Sequence, residues 1–281
     1  MFTLNCKGKL LVLDSPVIMG IINATPDSFY QGNINDDMLL LAKKMIADGA
    51  TILDIGGQST RPGSKRIAAD EELARVIPVI ELIHQHFPGT VISIDTYKPE
   101  VMEEVIKCNI DIINDVRALR ERDNLRDGLN ILAAANIPVI LMHMQGNPAT
   151  MQHNPQYTDI FSEISGFFRQ RIQACLEAGI AHERIVLDPG FGFGKTLPHN
   201  VALLKGLSRF ESLGLPLLVG LSRKSMLGTI LGGAAVDQRL YAGVAGAVIA
   251  ALNGARILRV HDVKPTIDAL AVVTAFQEQG I

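Results

Sequence analysis

The stretch "PVIMGIINATPDSFYQGNINDDMLLLAKKMIADGATILDIGG", residues 16–57, decides the fold. It opens on a continuous apolar run, "PVIMGIIN", and passes through a Pro- and Gly-containing loop. An amphipathic stretch, "DMLLLAKKMIADGA", then ends near Gly49 ahead of a second apolar run, "TILDIGG". Unbroken β-branched runs are what strands covered on both faces require, and a Gly after a helix lets the chain turn into the next strand. This is a strand–helix–strand unit with a parallel pair.

The unit recurs along the chain. Further strand candidates are "VISIDT", "IDIINDV", "IPVILMH", "RIVLDPG", "PLLVGLS" and "RILRVHD", each followed by a helical pattern, with Gly179, Gly214 and Gly254 again preceding strands. Eight strands each followed by a helix predict a (β/α)8 TIM barrel, α/β in class, as one domain over residues 1–281. A doubly wound open sheet is the alternative. It usually has fewer strands, and its glycine fingerprint is missing.

Composition limits the function. Of 281 residues, 48% are hydrophobic, which suits a large buried core, and the net charge of −3 does not favour a nucleic-acid surface. Cys6, Cys108 and Cys175 are isolated in sequence, as free thiols of a reducing cytoplasm would be. The N-terminus carries no signal-peptide pattern. Two charge-free stretches, 128–144 and 240–255, are short or interrupted and read as core, so no membrane association is expected.

The glycine-rich "DPGFGFGKT" (188–196) invites a nucleotide reading and fails it. In a phosphate-binding P-loop the first glycine would fall on Pro189, which has no N–H to donate; in a dinucleotide fingerprint the third glycine would fall on Lys195.

The polar residues near the strand ends carry more. They are Asn23, Asp54, Asp95, Asn114 with Asp115, His143, Asp188, Ser222-Arg223-Lys224, and Arg259 with His261. In a barrel these converge on the C-terminal mouth, where such folds place their chemistry. Asp95, Asn114 and Asp188 suit a planar heterocycle with adjacent N–H donors. Lys224, Arg259, His261 and Arg61 supply positive charge for an anion. Short metal-ligand spacings are not evident in the sequence, but a Mg²⁺ that keeps most of its waters needs one or two protein ligands, and Asn23 can supply one.

Taken in order, "NATPDSF", "DIGGQSTRPG", "IDTYKPEV", "INDV", "MHMQGNP", "DPGFGFGKT", "GLSRKSMLG" and "RVHDV" resemble the dihydropteroate synthase family nearly end to end. The resemblance implies a condensation of (7,8-dihydropterin-6-yl)methyl diphosphate with 4-aminobenzoate. It implies Asp95, Asn114, Asp188 and Lys224 as the pterin set, with Met142 and Phe193 lining that pocket, and Asn23 as the Mg²⁺ ligand. Arg259 and His261 correspond to the diphosphate site, Thr60, Arg61 and Pro62 to the second loop, Ser222 to the aminobenzoate position and Phe29 to the first loop. Asp95, Lys224, Arg61, Arg259 and His261 are the implied catalytic group, acting in an SN1-like C–O cleavage. A homodimer through the last helices is also implied. The sequence departs from the family pattern at Gln58, where the motif usually carries Glu, at Tyr30-Gln31-Gly32-Asn33 in the first loop, and at Arg117-Ala118, where small residues usually follow "NDV". A pterin-dependent corrinoid-type methyltransferase and a non-catalytic pterin-binding paralogue are the competing readings.

Overall fold

The computed structural model describes residues 2–25, 34–59, 64–121, 126–146 and 150–278. Among them a short antiparallel hairpin, β1 (Thr3–Cys6) and β2 (Lys9–Val12), precedes a closed parallel barrel. The barrel strands are β3 (Val17–Asn23), β4 (Ile52–Gly56), β5 (Val91–Asp95), β6 (Ile112–Asp115), β7 (Val139–Met142), β8 (Ile185–Asp188), β9 (Leu217–Val219) and β10 (Ala255–Val260), closed by β10 pairing with β3. The outer layer holds α1 (Ile34–Ala47), α2 (Ala69–His86), α3 (Pro99–Lys107), α4 (Gly128–Ala135), α5 (Ile160–Glu177), α6 (Leu197–Lys205), α7 (Ser225–Ile230), α8 (Leu240–Leu252) and α9 (Val263–Glu278). All eight expected barrel strands are present, and the expected (β/α)8 class is the observed one.

The strands read as unbroken apolar runs because their two faces meet two different cores. Ile18, Ile22, Leu53, Ile55, Ile92 and Ile94 face the helices and pack with them in the larger core cluster. The alternate residues point into the barrel. There Met19, Ile52, Val91, Ile112, Ile140, Val186, Leu218 and Ile257, one from each strand, form an apolar bottom layer. Toward the C-terminal end the same inner faces turn polar: Asp54 above Ile52, Ser93 and Asp95 above Val91, Asn114 above Ile112, Asp188 above Val186, Arg259 above Ile257. The barrel is a packed core below and a polar cup above.

The hairpin, not foreseen from the sequence, closes the bottom. Leu4, Cys6, Leu11 and Leu13 pack onto the eight-residue layer. Its turn is the pair Lys7-Gly8, both with positive φ (50° and 94°), as a two-residue hairpin turn matching strand twist needs. Asn5 Oδ1 accepts the Gly8 N–H at 2.7 Å and steadies it.

Candidate active site

The cup is floored by a buried ionic network. Asp54, fully buried in the middle of β4 rather than at its end, accepts three hydrogen bonds. Ser93 Oγ donates to its Oδ1 at 2.6 Å; Asn114 Nδ2 (3.2 Å) and Arg259 Nε (2.6 Å) donate to its Oδ2. Arg259 also reaches Asp95, from Nη2 to Oδ2 at 2.9 Å, so one guanidinium bridges two carboxylates. The Oδ1 of Asp95 is buried with no hydrogen-bond partner. A buried acceptor left unpaired is costly and marks a place for a ligand donor. Burial raises the Asp95 carboxyl to about 7; Arg259 opposes the shift and Asp54 adds to it.

Across the cup, the 188–196 loop is built for close approach. Asp188 accepts the Gly190 N–H at 2.7 Å, and burial raises its carboxyl above the usual range despite nearby Lys224. Gly190 has φ +69°, and a Cβ there would lie 1.9 Å from the His143 carbonyl oxygen. At Gly194, with φ +64°, a Cβ would fall 2.6 Å from the Gln145 carbonyl. These glycines press the loop against the segment after β7, so the run serves backbone packing rather than a phosphate cradle. Lys195, almost fully buried, fastens it. Its Nζ donates to the Gly190 and Phe193 carbonyls at 2.9 and 3.0 Å and lies 3.0 Å from His143 Nδ1. Burial and then Lys195 hold the His143 imidazole down to about 2, so this strand-end histidine is neutral and structural. Thr196 caps α6 in a reciprocal pair with His199.

Lys224 donates to the Phe191 carbonyl, and its Nζ sits 4.6 Å from the centre of the Phe193 ring. Burial lowers its ammonium to about 8, with Asp188 holding it up. Phe193 packs on an apolar wall of Tyr97, Val116, Met142, Met144 and Met151. The cup thus offers acceptors from two carboxylates, an amide, a cation and a flat apolar wall, as a hydrogen-bonding heterocycle needs.

At the rim, Ser222 and His261 meet: Ser222 Oγ accepts the His261 backbone N–H at 3.2 Å and lies 3.1 Å from Nδ1. Arg223, with φ +60°, turns away to pair with Asp262 at 2.7 Å. Asn23 ends β3, in register with Gly56 of β4, which pairs in turn with Asp95. No cluster of three His, Cys, Asp or Glu able to hold a metal occurs among the described residues. A single amide at the mouth fits a Mg²⁺ that draws its other ligands from water and a bound phosphate group.

The structure therefore brings together Asp95, Asn114, Asp188, Lys224, Met142, Phe193 and Arg259, with Ser222, His261 and Asn23 on the rim. Phe29, Thr60, Arg61 and Pro62 lie outside the described residues. Asp115, grouped with the strand-end residues above, faces the other way from Asn114. It accepts the Arg117 and Leu119 N–H groups at 2.6 and 2.7 Å, which supports the positive φ of Ala118 and Leu119. Gln58, at the root of the second loop, accepts from Lys98 Nζ at 2.8 Å and donates to the Tyr97 hydroxyl at 3.0 Å. Lys98 already has the buried Glu72 carboxylate at 2.6 Å, so a neutral amide suffices at position 58. Sequence reasoning missed the roles of Ser93, Lys98 and Lys195. For Ser93 the signal was its parity with Asp95 on β5; for Lys195 it was a lysine next to a glycine loop with no phosphate pattern to explain it.

Comparison with known proteins agrees with this geometry. A family model described as pterin binding enzyme matches residues 19–261. A dihydropteroate synthase of Escherichia coli strain K12 is 50% identical over 272 residues, covering 96% of this chain and 94% of the relative. The dihydropteroate synthase of Yersinia pestis, solved with a sulfonamide drug, superposes with a TM-score of 0.93 at 47% identity, covering 99% of this chain and 100% of that one. That of Xanthomonas albilineans, solved with 7,8-dihydropteroate, gives 0.87 at 39% identity and 99% coverage of both chains. The barrel and its heterocycle cup are those of a pterin-binding enzyme. Within that class the chain belongs to the dihydropteroate synthase family, whose members are transferases. The corrinoid methyltransferase reading gives way to this.

Proposed function

We propose that this chain joins (7,8-dihydropterin-6-yl)methyl diphosphate to 4-aminobenzoate, releasing diphosphate, with the residues of the cup in the roles that follow. The observation that carries the reading is the buried, unpartnered Oδ1 of Asp95 facing the same cup as Asp188. Both carboxylates accept N–H groups of the pterin, Asn114 adds an amide, and the ring lies along Met142 and Phe193. Lys224 donates to the ring from above Phe193. As the C–O bond to diphosphate breaks in an SN1-like course, Asp95 and Asp188 stabilise the positive charge left on the pterin. Arg259, His261 and Arg61 face the departing diphosphate, whose charge grows in the transition state. Ser222 lies beside the aminobenzoate position, with Thr60 and Pro62 assigned to the second loop and Phe29 to the first. A Mg²⁺ held by Asn23 would supply further charge neutralisation at the diphosphate oxygens.

The chain works as a homodimer in the cytoplasm. The thiols support that compartment: all three cysteines are unpaired, and burial pushes Cys6 up to about 12 and Cys175 to about 11, out of reach of thiolate chemistry. No described helix is long and apolar enough to cross a membrane.

The test is direct. Purified protein with Mg²⁺ and both substrates should give dihydropteroate and diphosphate in equal amounts, and nothing when either substrate is left out. Absence of product from the complete mixture overturns the reading. In the same assay Asp188→Ala should lose pterin binding, while Arg61→Ala should lower kcat.

A further inference from the structure

Asp54 was grouped with the strand-end residues by its sequence position and given no ligand role, yet it accepts hydrogen bonds from three side chains on the floor of the cup. It sits in mid-strand on β4, in register with Ile21 of β3 and Ser93 of β5, below the layer that would touch substrate. Its own surface is fully enclosed. Both its oxygens are committed: one to Ser93, the other to Asn114 and Arg259 together. Two strands away from β4 in the barrel circuit, β10 delivers Arg259 to the same oxygen that fixes the Asn114 amide from β6.

From this we infer that Asp54 is a positioning residue for the transferase reaction, setting the amide of Asn114 and the guanidinium of Arg259 through one carboxylate. The inference rests on the reading of Asn114 and Asp95 as pterin-binding groups. An Asn amide can be flipped at almost no internal cost, and its ligand-facing atom is decided by which end finds a partner. Asp54 accepts from Nδ2 of Asn114 at 3.2 Å, which leaves the carbonyl oxygen as the end available to the ligand's N–H. Arg259 would otherwise be free to pair wholly with Asp95 and cover the Asp95 oxygen that the pterin needs. With Nε held by Asp54 at 2.6 Å, the guanidinium reaches only Oδ2 of Asp95, and Oδ1 is left without a hydrogen-bond partner.

Replacement by Asn tests this with little change of shape. Asp54→Asn offers one acceptor oxygen where three donors converge, and its NH₂ faces another donor. Either Ser93, Asn114 or Arg259 must let go. There is also an electrostatic consequence. The charged groups acting on Asp95 are Arg259, which lowers its pKa, and Asp54, Glu72 and Asp115, which raise it, with Lys224 also within electrostatic range. Losing the Asp54 charge removes a negative neighbour that holds the Asp95 carboxyl up, so Asp95 should ionise at lower pH in the variant.

The experiment is steady-state kinetics of the full chain, varying each substrate and the pH, on wild type, Asp54→Asn and Ser93→Ala. If wild type makes no dihydropteroate, the parent reading fails and the variants are not needed. If it does, Asp54→Asn should raise the KM for the pterin diphosphate by roughly 10- to 100-fold, as loss of a partner to buried polar groups does, with KM for 4-aminobenzoate little changed. The acidic limb of its kcat/KM profile should move to lower pH. Ser93→Ala, which keeps the charge, should raise pterin KM by about threefold to tenfold and leave that limb in place, testing the idea even where Asp54→Asn folds poorly. Wild-type pterin KM and an unmoved limb in Asp54→Asn overturn the proposal. So does an equal loss for both substrates that follows a fall in thermal stability, and so does a wild-type pterin KM in Ser93→Ala.

Discussion

Two titrating residues face each other across the cup, and their shifts have opposite sign. Burial raises the Asp95 carboxyl to about 7 and lowers the Lys224 ammonium to about 8. The proposed roles need Asp95 ionised, to accept a pterin N–H, and Lys224 protonated, to donate. Activity therefore rises with pH as Asp95 loses its proton and falls as Lys224 loses its own, giving a narrow bell in kcat/KM for the pterin diphosphate. The apparent values belong to the coupled group rather than to single residues. Lys224→Arg, whose guanidinium stays charged, should remove the alkaline limb even where it lowers the maximum. A flat profile through this range excludes that pairing of states. Lys195 poses a different question, because its donors serve backbone carbonyls and a neutral imidazole. Lys195→Met removes the donors and leaves those acceptors buried, which should cost about 1–3 kcal/mol in urea unfolding. Pterin binding should weaken with it, because Phe193 and the carbonyl that receives Lys224 lie on the fastened loop. An unchanged unfolding midpoint would show the loop held by other means.

At the scale of elements, the N-terminal hairpin and the eight strands divide the labour. The hairpin plugs the bottom, remote from the cup, through Leu4, Cys6, Leu11 and Leu13. Leu4 is almost fully buried, so Leu4→Ala should destabilise the fold by about 2–4 kcal/mol while leaving both KM values unchanged. A shift in either KM would mean that the bottom layer transmits strain to the mouth. This division also explains what the sequence disclosed. The eight barrel strands were legible because each is apolar on both faces, one toward the helices and one toward the barrel interior. The hairpin was not, since its strands are four residues each, β2 exposes Leu10 and Val12, and the turn puts Lys7 at positive φ, against the residue's preference. Polar residues of the cup stood out as interruptions of apolar runs. Their depth did not: Asp54 and Asp95 look alike in sequence, yet one is floor and the other lines the pocket. Asn114 and Asp115 are neighbours in the chain, but pleating sends one into the barrel and the other out. The fastening role of Lys195 needed the fold, because its partners at His143 lie 52 residues away.

For the whole molecule, one surface asks for a partner. Tyr241, Ala245, Ile249 and Leu252 are exposed at i, i+4, i+8 and i+11 along α8, a single helical stripe. Tyr241 is 84% exposed and Leu252 56%. No charged side chain occurs anywhere in α8. The neighbouring α9 adds Val272 and Phe276, the latter 73% exposed, one turn apart. A contiguous apolar face spread over two adjacent helices is more than scattered surface hydrophobicity, and soluble chains usually cover such a face. A second copy of the same chain covers it with the least new information, since a two-fold axis lets one stripe meet itself. The homodimer proposed above is expected to bury this face. Light scattering of the purified chain should give twice the monomer mass, and Leu252→Glu with Phe276→Glu should give a monomer by placing carboxylates in the contact. The face lies outside the cup, so the monomeric double variant should keep pterin binding within a few fold by calorimetry. A wild-type monomer would remove the dimer from the reading. A double variant that stays dimeric would place the contact elsewhere on the surface.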